Sequence, residues 1–197
     1  GVSITAEPFD SGDARRLIIA LDATLSELYP PEQRFGPDLK AEHLGEGRGT
    51  FLLARIGDEA VGCGAFRRLD ATTAEAKRMY VVPDQRGRGI GRTILKSLEA
   101  AAQQIGVRRL VLETGIHQRA AISLYRGSGF KQVACWSEYA SSPTSICFEK
   151  NLQSRLAWQF KTSLVADADA ANVKAEGTPF RTRPSPRPRP PSPGPAA

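Results

Sequence analysis

Three glycines and three arginines fall within the seven residues 86 to 92 of the stretch VPDQRGRGIGRTIL (82–95), which runs straight into an apolar helical pattern. Gly87, Gly89 and Gly91 let the backbone take positive φ or approach a ligand closely, and they leave the amide N–H groups unshielded. Thr93, Ile94, Leu95, Leu98, Ala101 and Ala102 recur at helical spacing, and nothing breaks the pattern before Gly106. The helix therefore begins inside the glycine run. Its orphan N–H groups and the positive end of its dipole point into the turn, where Arg86, Arg88 and Arg92 add full charges. A phosphate or pyrophosphate is the natural guest.

The familiar phosphate loops do not fit. A P-loop needs G-x-x-x-x-G-K-S/T, but Arg86 stands where its first glycine belongs and Arg92 where its lysine belongs. The dinucleotide pattern G-x-G-x-x-G meets Arg92 at its last glycine, and no acidic residue follows about 20 residues on at the end of a second parallel strand.

Other side chains could take part in chemistry. Tyr125 sits in a helical pattern, where a tyrosine is more often a core residue; the other reading is a proton donor, since a phenol with a pKa near 10 stays protonated at neutral pH. Glu75 lies on a strand entering the glycine turn. Period-two alternation puts it on one face with Lys77 and Met79, as a proton acceptor or as a partner for Lys77. Glu138 and Tyr139, in SEYASSP, are alternatives that line an acceptor site. His43 and His117 have no companions at metal-ligand spacing, so no metal is expected. Cys63 has no nearby histidine to activate it as a nucleophile.

The positioning elements follow from pattern. VSITAEPF (2–9) alternates like a strand, and Ser11 to Asp13 offer N-cap chemistry for a helix that Pro30 and Pro31 stop. A further helix is expected within 37–45. GTFLLARIGDEAVGCGAFRRLDATTAEAKRMYVV reads as three strands of an antiparallel meander, turning at GDE and LDATT. After the glycine loop and its helix, about 90–105, come a buried strand RRLVLET, a helix through QRAAISLYRGS ending at Gly129, a strand from Phe130 to Val133, and a last strand at 144–150. The fold class is α+β, with a mixed central sheet flanked by helices.

With 197 residues the chain suits one domain, taken as 1–153, and a tail, 154–197. A short helix is expected near 152–163. From Pro179 onward eight of nineteen residues are proline, a composition for polyproline II or disorder. The net charge is +6, of which residues 155–197 hold +4 (seven Lys or Arg against three Asp or Glu). The nearly neutral body does not suit nucleic acid, and four arginines between 181 and 189 without interleaved aromatics do not make a nucleic-acid platform. Cys63, Cys135 and Cys147 lack C-x-x-C spacing, and no secretory signal is recognised. Three buried thiols in a reducing cytoplasm are therefore expected. No apolar run approaches the roughly 18 residues of a membrane span.

Arg86-x-x-Gly89-x-Gly91, between the strand EAKRMYVVP and an amphipathic helix, resembles the acyl-CoA-binding motif of the GNAT N-acetyltransferases, Gln/Arg-x-x-Gly-x-Gly/Ala. The family's later Asn-x-x-Ala-x-x-Leu-Tyr helix with a following Gly-Phe is matched by Gln118, Ala121, Leu124, Tyr125, Gly129 and Phe130, with Gln118 a conservative departure. The resemblance covers about 2–152 and implies a GNAT fold, β-α-α-β-β-β-α-β-α-β-β. It implies that the diphosphate of acetyl-CoA sits on the amides of Arg86, Gly87, Arg88, Gly89, Ile90, Gly91 and Arg92. The pantetheine arm then runs along Met79, Tyr80, Val81 and Val82 like an added strand, with Gln118 and Tyr125 also near the cofactor. Pro83, lacking an N–H, suits the end of that pairing. An N–H near Met79 or Tyr80 serves as oxyanion donor. Tyr125 is implied as general acid and Glu75 as the residue that accepts the amine proton, directly or through water. The implied activity is direct acetyl transfer to a primary amine of a small molecule or protein, and family members commonly form homodimers. The competing reading is a non-catalytic acyl-CoA-binding or regulatory module whose Arg/Pro-rich tail meets a partner.

Overall fold

The structure is a computed structural model that describes residues 1–34 and 36–152. The segment from 153 onward, with the tail and all but the first residue of the helix expected near 152–163, lies outside the described residues. Period-two patterning builds the first half of the sheet. In β2 (Gly49–Ile56), Phe51 and Leu53 face one side while Leu52 and Ala54 face the other, and all four are buried. Strands β1 (Val2–Ala6), β2, β3 (Glu59–Arg68) and β4 (Thr73–Val81) form an antiparallel meander. Helix α2 (Ile90–Gln104) carries the chain across so that β5 (Arg109–Gly115) lies parallel to β4. Strands β6 (Lys131–Val133) and β7 (Ser145–Asn151) complete a mixed seven-stranded sheet in the order β1-β2-β3-β4-β5-β7-β6.

Helices cover both faces. Helix α1 (Gly12–Leu28) starts where the Ser11 hydroxyl accepts the Ala14 N–H at 3.2 Å. It buries Ala14, Leu17 and Leu21 against Phe51, Leu53, Cys63 and Ala65. On the other face α2 presents Ile90, Ile94, Leu95, Leu98 and Ala102, and α3 (Arg119–Gly127) adds Tyr125 against Phe130 and Phe148. Among the described residues no helix is long and apolar enough to cross a membrane.

Three expectations change. The helix expected within 37–45 is only a 3-10 turn, Ala41–His43, because Pro37 and Gly45 bound a segment with one buried anchor, Leu39, too little to offset helix nucleation. Met79 does not share a face with Glu75 and Lys77. Arg78 takes φ 58°, and the β3–β4 register steps from Cys63↔Tyr80 to Ala65↔Lys77, so Arg78 and Met79 together oppose Gly64. Such a bulge inverts the alternation. Met79 turns toward α2, where a Cβ on Gly64 would lie 2.7 Å from both Met79 Sδ and Ile94 Cγ2.

Cys135 and Cys147 are not free thiols but form a disulfide, while Cys63 is the buried free thiol that was expected. Antiparallel pairing sets Val133 opposite Cys147, and Cys135 follows two residues later. No short-range spacing announces that encounter. Reducing the bond, or replacing both cysteines by serine, is expected to lower stability by about 3 kcal/mol, since it frees a loop of roughly a dozen residues in the unfolded chain. Urea denaturation with and without a dithiol reductant measures this, and an unchanged midpoint would show that the bond adds nothing.

Candidate active site

The glycine turn is held from behind and open in front. Arg86 Nε donates to the Val81 carbonyl at 2.8 Å, and its guanidinium lies 5.5 Å from the centre of the Tyr80 ring. Arg88 donates to the Gln85 side chain, so both arginines brace the loop. Gly89 caps α2 at φ 80°, a left-handed conformation that costs a side-chain-bearing residue energy, and a Cβ there meets nothing within 4 Å. Among the described residues, the N–H groups of Gly87 to Arg92 have no backbone acceptor. Six adjacent donors at a helix start form a ready anion cradle.

Beside the cradle the sheet opens. Strands β4 and β5 pair only from Thr73↔Arg109 to Ala76↔Leu112 and then diverge. The β5-facing edge of β4 from Lys77 to Val81 has no partner strand among the described residues. Val82 N–H to Val61 O, at 2.9 Å, is the last ladder bond before Pro83. The gap widens into a cavity of about 590 Å³ whose wall includes Glu75, Lys77, Arg78, Glu113, Tyr125 and Tyr139. Tyr29, at the end of α1, closes one side and accepts the His117 N–H at 2.9 Å. A Cβ on Gly115 would sit 1.9 Å from the Tyr29 hydroxyl, so only glycine admits this approach.

The two carboxylates in the β4 and β5 walls differ. Glu75 is 1% exposed, receives Arg67 Nε at 2.9 Å and the Tyr139 hydroxyl at 2.8 Å, and lies 3.5 Å from Lys77 Nζ. Lys77 also donates to the Tyr139 hydroxyl at 3.0 Å, and burial lowers its pKa, opposed by Glu75. Removing one member of a buried ionic group typically costs about 3–5 kcal/mol. Glu113 accepts only the Ser145 hydroxyl, at 2.7 Å, and has no cation within ion-pair distance among the described residues. Burial raises its pKa, opposed by the Ser145 hydrogen bond.

Tyr125 is buried against Phe130 and Phe148 and lines the cavity, and its hydroxyl makes no hydrogen bond to another described residue. Burial first, and the Glu113 charge second, hold its phenol above the ordinary tyrosine value.

A cradle of orphan amides at a helix start follows a strand whose β5-facing edge is freed by a splay, and a tyrosine-lined cavity opens at the Lys77 end of that edge. Residues 18–130 match the acetyltransferase (GNAT) family. The chain belongs to that family. It is 39% identical over 138 residues to an IAA acetyltransferase of Azospirillum brasilense, covering 70% of this chain and 89% of that one. A Klebsiella pneumoniae protein assigned to the acyl-CoA N-acyltransferases shares 35% identity and a TM-score of 0.67, over 77% of this chain and 98% of that one. A GNAT acetyltransferase of Elizabethkingia anophelis solved with acetyl-CoA bound has the same fold, with TM-score 0.56 at 21% identity over 77% and 98% of the two chains.

Within this GNAT fold Glu75, Lys77, Met79, Gln118, Tyr125 and Tyr139 line the cavity, and Gly87 to Arg92 form the cradle. Gln118 caps α3 and accepts the Gly115 N–H at 2.9 Å through its side-chain oxygen. Tyr80 turns its ring under Arg86, and Arg92 reaches over α3 toward Gly127. Tyr139 lies in the cavity wall, whereas Glu138 is exposed outside it. His117 stacks on Tyr29 with ring centres 5.5 Å apart, and His43 Nδ1 accepts the Lys40 N–H. Cys63 is fully buried and its thiol is pushed up to about 12. Sequence reasoning missed Glu113 and Arg78. Glu113 could have been found from its place at the end of a buried strand that otherwise reads RRLVL.

Proposed function

We propose that the chain is an acetyl-CoA-dependent N-acetyltransferase that acylates a primary amine directly. The observation that carries this reading is the β5-facing edge of β4 between Lys77 and Val81, unpartnered among the described residues, which starts at the cavity and runs toward the amide cradle. The donor fits the residues present. Orphan amides from Gly87 to Arg92 suit a diphosphate, and a free strand edge at Met79 to Val82 suits the amides of a pantetheine arm. Acetyl-CoA would supply the thioester carbonyl, and solved structures of two other GNAT-fold proteins contain acetyl-CoA or coenzyme A.

The chain's own groups divide the remaining work. An N–H of the bulged strand near Met79 or Tyr80 would polarise the thioester carbonyl oxygen of the donor. Tyr125 keeps its proton across neutral pH and donates it to the leaving sulfur. Sequence reading assigned the amine's proton to Glu75. We place that role on Glu113, because Glu75 is engaged by Arg67, Lys77 and Tyr139, whereas Glu113 faces the cavity with its basicity raised by burial. Glu75 then holds Lys77 and Tyr139 in place.

A carboxylate base with a raised pKa is protonated, and idle, at pH values where an ordinary glutamate already works. The acid limb of kcat/KM is therefore expected above the ordinary carboxylate range near 4.3. Glu113→Gln is expected to remove this limb, and Glu75→Gln to leave it in place. The reverse result would return the base role to Glu75.

The reading itself is tested by calorimetric titration with acetyl-CoA, followed by thiol release in the presence of primary amines. Binding and amine-dependent release are expected. Absence of binding at millimolar acetyl-CoA would end the transferase reading.

A further inference from the structure

The cavity wall carries positive charge that the fold does not use up. Lys77 is engaged by Glu75 and Tyr139. Arg78 is not so well satisfied: Nη1 lies 3.0 Å from Asp22 and Nη2 3.6 Å from Asp38, but those carboxylates are 49% and 86% exposed. Pairs so open to water are screened and weak. Its Nε is buried and has no acceptor among the described residues. Arg78 also sits at φ 58°, a region that a bulky residue occupies only when its surroundings hold it there. Arg34, in the same wall, donates to the Ser26 hydroxyl at 3.3 Å and has no carboxylate within ion-pair distance among the described residues.

The diphosphate of the acyl donor is not the anion these arginines await. No residue of the cradle between Arg86 and Arg92 belongs to the cavity wall. The same cavity is lined from β5 and α3 by Glu113 and Tyr125.

We infer that the acceptor is a small amine that also carries a carboxylate, as an amino acid does, and that Arg78 and Arg34 receive the carboxylate while the amine faces Glu113. The inference rests on the acetyl-transfer reading above. Guanidinium groups favour carboxylates because their paired N–H donors match the two oxygens. In the reaction the acceptor's ammonium group gives one proton to Glu113, and its nitrogen bonds to the acetyl carbon. The carbon–sulfur bond breaks, and the sulfur leaves with its electron pair and takes a proton from Tyr125. The nitrogen's second proton returns to Tyr125, so the sum is an amide, a thiol and one proton released to solvent.

The test uses the full chain with acetyl-CoA and matched acceptors, namely a set of L-amino acids and the amines left when each loses its carboxylate. Thiol release is followed for both, with a lysine-bearing peptide blocked at both ends as a third class. At least about a tenfold higher kcat/KM is expected for the carboxylate-bearing member of a productive pair. Arg78→Gln and Arg34→Gln are each expected to erase that preference through KM, with acetyl-CoA binding retained. Arg34 is exposed, so its variant and the wild-type comparison decide the matter even if Arg78→Gln fails to fold. Equal or better use of the decarboxylated amines or of the peptide overturns the inference while the transferase reading stands. So does a preference that survives both substitutions, or bound acetyl-CoA with no transfer to any class. Failure to bind acetyl-CoA would instead remove the transferase reading itself.

Discussion

Gly89→Trp is expected to weaken acetyl-CoA binding by at least about 100-fold, a loss of roughly 2.7 kcal/mol. Two effects combine. Gly89 holds φ 80°, which a residue with a side chain adopts only under strain, so the helix start and its amides shift. The indole would also project into the open space in front of the orphan N–H groups, where a Cβ now meets nothing within 4 Å. Strain alone can be separated from filling. Gly57, in the β2–β3 turn, has φ 59° and equally open surroundings, yet belongs to neither cradle nor cavity. Gly57→Trp is therefore expected to carry a comparable backbone penalty and to bind acetyl-CoA normally. Calorimetric titration of both variants reads the difference. Normal binding by Gly89→Trp would mean that the diphosphate rests elsewhere.

Tyr125→Phe is expected to lower kcat by about 10²–10⁴-fold with little change in acetyl-CoA affinity or thermal stability. The ring packs against Phe130 and Phe148, and phenylalanine retains that packing. The hydroxyl makes no hydrogen bond to another described residue, so its loss leaves no polar group stranded in the fold. What the substitution removes is a proton donor held in its protonated form by burial. Steady-state kinetics and a melting curve on the same preparation separate the two roles. An unchanged kcat would reduce Tyr125 to a core residue, the reading its helical spacing alone favours.

How much of the site is legible in the sequence depends on the distance over which each signal acts. The glycine turn, the start of α2 and the β2–β4 meander are local. Positive-φ demand, periodicity of two or 3.6, and turn residues all act within a few positions, and the elements stand where those patterns put them. The position of Tyr125 could likewise be read from a contiguous helix pattern. The segment 37–45 misled because Leu39, Ala41 and Leu44, between a proline and glycines, look periodic without burying enough surface to sustain a helix.

Legible from the chain alone were the α+β class with its seven strands and three α-helices in order, the loop of adjacent donors at a helix start, and the near-neutral body. Each of these depends on residue types at short spacing. The folded chain was needed to see that Arg78 bulges β4 and turns Met79 to the α2 side, that Glu75 is surrounded by Arg67, Lys77 and Tyr139, and that Glu113 faces the cavity with no cation at ion-pair distance among the described residues. It alone joined Cys135 to Cys147. Those facts arise where residues far apart in the chain meet across strands, as Glu75 and Tyr139 do over 64 positions. Pairing register and burial then set which charges are neutralised, and neither quantity is written in any short stretch of sequence.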